Sequence, residues 1–167
     1  MPKRGFQDFK LQIGGLVENP IVLLLADIEK MGMVEHITMH HCIQGWSGIA
    51  KWGGIPMQAI NLVRPKPEAK VVAFFSFGEA LYGGPYYNTQ SLENVLKAEC
   101  LLAFRMNGQT LPDVYGAPLR LRVENQLGYK MVKWIERIEF IQSEKQLGAG
   151  EGGKNEDDDY FDLLTNT

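Results

Sequence analysis

The densest group of side chains able to do chemistry is His36, His40, His41 and Cys42, with Gln44 and Ser47 close behind. In an extended backbone, side chains alternate between faces, so positions 36, 40 and 42 fall together and His41 falls opposite. One thiolate and two imidazoles on a shared face could ligate a soft metal. A structural zinc site normally wants four ligands in short-spaced pairs, and that spacing is missing here. The other reading is a buried free cysteine among hydrogen-bonded core histidines. Glycines 45, 48, 53 and 54 follow, with Trp46 and Trp52 among them. They suit either a tight loop approached by a large ligand or a turn pinned by two core tryptophans.

A second group runs through Tyr115, Gly116 and Arg120 to Gly128, Lys130, Lys133 and Trp134. Fixed cations beside glycines suit a phosphate, gripped by an arginine fork and backbone N–H groups. The alternative is a solvated basic strand edge. No Gly-x-Ser-x-Gly, phosphate-binding P-loop, HExxH or GxGxxG motif is present, so the common hydrolase, nucleotide and zinc-protease readings lose support.

These residues need elements to hold them. Residues 9–17 alternate as a strand ending at Gly14 and Gly15, and 21–31 carry a helical pattern with Asp27 and Glu29 on the polar face. Residues 34–41 and 70–77 read as strands, 56–63 as a short helix with proline in its first turn, and 91–97 as a helix capped by Ser91. A hairpin turning at Asn107-Gly108 and strands over 119–123 and 132–141 complete the pattern. Short helices among more numerous strands predict an α+β domain with mixed or antiparallel sheets.

The 167 residues make one domain, and 45% apolar content allows a core without disulfides. Cys42 and Cys100, far apart and outside any CxxC pair, are expected as reduced thiols. A net charge of −3 gives no general basic excess, so nucleic acid is not an expected partner. The charge is uneven, with a basic stretch over 116–137 and an acidic one over 138–167. Residues 147–159, rich in glycine and acid, are expected as a mobile loop, with Tyr160, Phe161, Leu163 and Leu164 able to dock back onto the body. With no signal-peptide pattern, the chain as written is expected in the cytoplasm, or in the periplasm if an export segment has been removed.

The two chemical groups join when the motifs are read together. Cys42-Ile-Gln-Gly-Trp-Ser47, Trp52-Gly-Gly-Ile-Pro56, Leu101-Leu-Ala-Phe104, Asn107-Gly108, Gly116-Ala-Pro-Leu-Arg120 and Gly128-Tyr-Lys-Met-Val-Lys-Trp134 stand in one order. In that order the chain resembles the molybdopterin-binding oxidoreductase domain family, whose fold is of the sulfite-oxidase type. The likeness runs from about Leu11 to about Phe161.

The resemblance implies a molybdenum-molybdopterin cofactor, one molybdenum per chain, with Cys42 as the protein thiolate on the metal. It implies cofactor contacts from Ser76, Tyr115, Arg120, Met131, Val132 and Lys133, and His40 and His41 beside the metal ligand join them as candidates. Tyr86 and Gln44 are the implied substrate-side residues. The implied chemistry is oxygen-atom transfer with a small oxo donor or acceptor of the sulfite or sulfoxide class. Cations around the pocket would favour an oxyanion, an apolar pocket a neutral sulfoxide. Electrons would pass to or from a separate protein, a cytochrome or a membrane quinone-linked subunit, since no haem or iron–sulfur motif is present. Tyr115 stands where relatives usually carry His or Asn, Glu124 where proline is common, and Gly84-Pro85-Tyr86 where Asp-Gly-Tyr is common. Relatives also carry an N-terminal segment, upstream of the Leu11 region, that adds a cofactor contact. The competing functions are a scaffold that keeps the fold without turnover and a small zinc protein using His36, His40 and Cys42.

Overall fold

Strict alternation of buried and exposed side chains makes a strand of β1 (Lys10–Gly15), where Leu11 and Ile13 turn inward. The computed structural model describes residue 6 and residues 8–160. β1 sits in a five-stranded sheet with β2 (Ile21–Leu24), β5 (Val71–Glu79), β6 (Pro85–Ser91) and β10 (Ile135–Ile141), in the order β2-β1-β10-β5-β6. The β1–β10 pair is parallel and the other pairs are antiparallel.

The second sheet is antiparallel throughout. It runs β3 (Val34–His41), β4 (Ser47–Pro56), β7 (Leu101–Met106) and β8 (Gln109–Thr110), with β9 (Arg120–Arg122) paired to β7. The sheets share one apolar core, in which Ile13, Phe74, Ile138 and Phe140 of the first meet Ile55, Leu102, Phe104 and Leu121 of the second. Each such side chain stabilises the fold by roughly 2 kcal/mol. Among the described residues, no helix is long and apolar enough to cross a membrane.

The sequence reading needs correction in four places. The helix expected over 21–31 divides into β2 and α1 (Leu25–Lys30), because Ile21 and Val22 pair with β1 and Asp27 accepts the Leu24 N–H at 3.1 Å, starting the helix there. The glycine-rich stretch after Cys42 is mostly strand β4, and of its two tryptophans only Trp52 is buried while Trp46 is 54% exposed. Strand β6 was not expected, since Asn88, Thr89 and Gln90 are polar residues buried in it. The proline expected inside the 56–63 helix caps a 3₁₀ helix instead (Met57–Val63). The cap at Ser91 is present, with Ser91 Oγ accepting from Asn94 N at 3.2 Å at the start of α2 (Leu92–Val95).

Residues 147–159, expected as a mobile loop, fold into turns and a one-turn helix, α3 (Lys154–Asp157), that is bound to β6. Phe161, Leu163 and Leu164, expected to dock back, lie outside the described residues.

Glycine is needed at one point of the sheet that carries Cys42. A Cβ on Gly54 would run into the Leu102 backbone of β7, whereas one on Gly48 would meet open space. Gly54→Ala is therefore expected to cost at least about 2 kcal/mol in urea unfolding, and Gly48→Ala to stay within about 0.5 kcal/mol. Equal effects would contradict the close β4–β7 approach.

Candidate functional site

β9 carries two arginines on one face, and both are buried: Arg120 is 3% exposed and Arg122 is fully enclosed. Small residues, Ala50, Ala103 and Ala117, cluster with Trp52. Both guanidinium carbons lie over the Trp52 ring, Arg120 at 4.8 Å and Arg122 at 4.3 Å from its centre. Such stacking offsets part of the cost of removing a cation from water.

Arg122 is well satisfied. Its Nε and Nη2 donate to the two oxygens of Glu124 at 2.8 and 2.7 Å, Nη2 also to Thr38 Oγ1 at 3.3 Å, and Nη1 to His40 Nδ1 at 2.9 Å. A guanidinium can only donate, so His40 Nδ1 accepts and the imidazole proton belongs on Nε2. Burial first, and then Arg122 and Arg120, lower the His40 pKa to about 4, which keeps the ring neutral. Its Nε2 edge abuts Gly128, where any Cβ would collide with it.

Arg120 is less well served. Nη1 donates to the Tyr115 carbonyl at 3.0 Å, but among the described residues buried Nε has no partner, and buried Trp52 Nε1 has none either. Burial, followed by the neighbouring Arg122, lowers the Arg120 pKa to about 9. The Lys133 pKa is lowered too, by burial and then by Arg120.

Gly128 opens the 3₁₀ turn Gly128–Lys130, which forms one wall of a cleft of about 270 Å³. Ser76, Tyr86, Tyr129, Met131, Lys133 and Trp134 also line it. That volume lies near the lower end for small-ligand sites. Ser76 Oγ accepts from Gly78 N at 2.9 Å, and Lys133 Nζ donates to the Val114 carbonyl at 2.9 Å. Tyr86 donates its hydroxyl to the Tyr129 carbonyl at 2.6 Å, and burial with the nearby Glu156 pushes its pKa up.

Of the residues singled out in the sequence, Ser76, Tyr86, Met131 and Lys133 thus meet in one cleft, and His40 joins it through Gly128. Cys42, Gln44, His41, Tyr115, Arg120 and Val132 are not in its lining. Cys42 sits half-buried in the turn after β3, its Sγ 4.0 Å from Gln44 Oε1 and its backbone N–H bonded to the Trp46 carbonyl at 2.9 Å. His41 faces outward, with Nδ1 3.0 Å from Ser47 Oγ. Val132 is a core residue, and Tyr115 is 45% exposed and contributes its carbonyl. Among the described residues no three His, Cys, Asp or Glu side chains gather around a point that could hold a metal ion, so His36, His40 and Cys42 do not form a zinc site. The partnership of Arg122 with Trp52, Thr38 and His40 was not foreseen, although the alternation of Arg120, Arg122 and Glu124 already placed these three side chains on one face.

The family model for the oxidoreductase molybdopterin binding domain matches residues 1–148. The chain belongs to this molybdopterin-binding family. It is 31% identical over 150 residues to the protein-methionine-sulfoxide reductase catalytic subunit MsrP of Campylobacter jejuni, covering 83% of this chain and 50% of that protein. With MsrP of Gluconobacter oxydans the identity is 35% over 150 residues, covering 80% and 47%. The chain spans about half the length of the curated relatives it matches. In fold it is similar to the sulfane dehydrogenase SoxCD of Paracoccus pantotrophus, with a TM-score of 0.74 at 24% identity over 84% of this chain and 40% of that one. The α+β, sulfite-oxidase-type fold expected from the sequence is the one found.

A molybdopterin-family cofactor brings a phosphate and a demand for a soft protein donor, and the residues present fit both. Buried cations with an unpaired Arg120 Nε await an acceptor, and Cys42 is a free, half-buried thiol.

The two cysteines differ in a way that can be measured. Cys100 is buried, donates its thiol to the Asn94 carbonyl at 3.2 Å, and has its pKa raised to about 11, first by burial and then by Glu99. Iodoacetamide at pH 8 is expected to modify Cys42 of the metal-free chain and spare Cys100. Because the unfolded Cys100 thiol loses its proton near pH 9 and the folded one near 11, the stability held below pH 9 falls as pH rises through that window. Cys100→Ala should flatten that fall, and an unchanged profile would contradict the assignment.

Proposed function

We propose that this chain is the molybdenum-cofactor domain of an oxidoreductase that transfers an oxygen atom, with a neutral sulfoxide as the oxo donor and one molybdenum per chain. The observation that carries the reading is the buried cation cluster. Among the described residues, buried Arg120 and Arg122 and half-buried Lys133 stand together with the carboxylate of Glu124, and Arg120 Nε has no acceptor, while Lys133 also lines the cleft. A protein does not ordinarily bury such a charge excess without an anion to meet it. A phosphate on the cofactor is that anion in this reading.

Arg120 and Lys133 would hold the phosphate, Ser76 and the backbone around Met131 and Val132 the pterin, and Cys42 the metal. When bound, the cofactor supplies the two-electron chemistry by which a sulfoxide, two electrons and two protons become a sulfide and water. The chain's own part is binding and orientation. Arg122 holds His40 neutral with its proton on Nε2, available to donate toward the Gly128 side. Tyr86 has its hydroxyl proton committed to Tyr129, so it meets a ligand as an acceptor and a flat apolar wall. Tyr129, Met131 and Trp134 extend that wall, and Lys133 and Glu79, of opposite charge, line the cleft with them, so no net positive charge favours sulfite over a neutral sulfoxide. The relatives named protein-methionine-sulfoxide reductase catalytic subunits support the same substrate class. Their naming as subunits also supports delivery of electrons by a separate protein, a cytochrome or a membrane quinone-linked subunit.

Purified protein from molybdate-supplemented cells tests the reading. About one molybdenum and one pterin per chain are expected, with sulfoxide-dependent reoxidation of a reduced dye. Arg120→Ala should retain about a tenth of the cofactor or less, because charge-assisted hydrogen bonds are roughly twice as strong as neutral ones. Cofactor without turnover would favour the scaffold reading, and full cofactor retention in Arg120→Ala would overturn the role given to the cations.

A further inference from the structure

The cleft has one lining residue from outside the family match. Asn155 lies in α3, beyond residue 148 where that match ends. α3 is firmly seated: Thr89 N and Oγ1 both donate to the Gly152 carbonyl at 2.9 and 2.6 Å, and Asn88 Nδ2 donates to Glu156 Oε2 at 3.3 Å. Lys130 pairs with Glu156, Tyr87 donates its hydroxyl to Asp157, and Glu151 N donates to Asp157 Oδ1 at 2.9 Å. Gly148, at φ +52°, leaves the space that Asp157 and Tyr87 fill, and a side chain on Gly153 would collide with Asn88 and Glu156.

Every other side chain of this helix is engaged. Lys154 bonds Asp158 at 2.6 Å, Glu156 bonds Asn88 and Lys130, and Asp157 bonds Tyr87. Asn155 is half-buried, faces the cleft, and has no hydrogen-bond partner among the described residues. A carboxamide on a cleft wall without a protein partner can exchange its water contacts for the donor and acceptor of a ligand.

We propose that Asn155 is a cofactor-contacting residue, pairing its carboxamide with the pyrimidine edge of the pterin from a segment that the family match does not include. This rests on the function proposed above. The chemistry is complementary: a pterin edge offers an amino donor and a ring or oxo acceptor side by side, and a carboxamide offers one donor and one acceptor, as asparagine does when it reads adenine. Ser76, Met131 and Lys133, the expected cofactor residues, line the same cleft as Asn155. The anchors on Glu156 and Asp157 hold the carboxamide in position, so little entropy is lost on contact.

Asn155→Ala and Asn155→Leu in the full chain test this, with molybdenum analysis, fluorescence of the released and oxidised pterin, and melting of the cofactor-free and loaded forms. Because the Asn155 side chain has no hydrogen-bond partner among the described residues, the cofactor-free variants should melt with the wild type. Both should lose pterin about tenfold faster on dialysis, with a smaller rise in Tm on loading. Equal pterin retention in variants and wild type overturns this inference alone. So does a lower Tm of the cofactor-free variants, which marks a structural role, or a raised KM for sulfoxide with retention unchanged, which places Asn155 on the substrate. A wild-type chain that binds no pterin overturns the proposed function, and this inference with it.

Discussion

A fully enclosed guanidinium governs the architecture around Cys42. Enclosing an arginine costs several kcal/mol unless its donors are met, and Arg122 meets that cost with the Glu124 fork, Thr38, His40 and the Trp52 ring. These partners come from β3, β4 and the residue that follows β9 by two, so one side chain on β9 ties the strand leading into Cys42 to the strand that carries Arg120. Gly128 is small because His40, held by Arg122, presses against it.

From this anchor the electrostatics of the site follow. Arg122 has a carboxylate to itself, and its charge acts on its neighbours: together with burial it lowers the pKa values of Arg120 and His40. The outcome is a neutral histidine and a charged arginine whose Nε has no acceptor among the described residues. A neutral donor and unmet positive charge suit a large, flat, phosphate-bearing ligand better than a bare ion, in keeping with the molybdopterin-binding family to which the chain belongs. Helix α3, seated on β6, adds Asn155 to the lining of the cleft.

How much of this was legible in the sequence depended on how local the determinants are. β3, β5 and β7 announce themselves by alternation or by unbroken apolar runs, and the Asn107-Gly108 hairpin by its turn residues. β4 and β6 do not, because glycines forced by close strand approach and polar residues buried in a sheet erase the pattern that marks a strand. In the site, Cys42, Arg120 and Lys133 could be picked out because each sits in a short ordered motif. The bond between Arg122 and His40 spans 82 residues, and the seat of α3 on β6 joins Tyr87 and Asp157 across 70, so neither leaves a local trace. Residues 147–159 read as a loose acidic loop for that reason, since their glycines serve close contacts that become visible only when the chain is folded.

The central claim is that Cys42 supplies the protein donor to molybdenum while the buried cations hold the remainder of the cofactor. Molybdenum-edge X-ray absorption on loaded wild-type protein and on cofactor-reconstituted Cys42→Ser tests it most directly, because sulfur and oxygen neighbours scatter distinguishably. The account predicts one sulfur neighbour fewer at the metal in the variant, with the pterin still bound. An unchanged sulfur count in Cys42→Ser would contradict it.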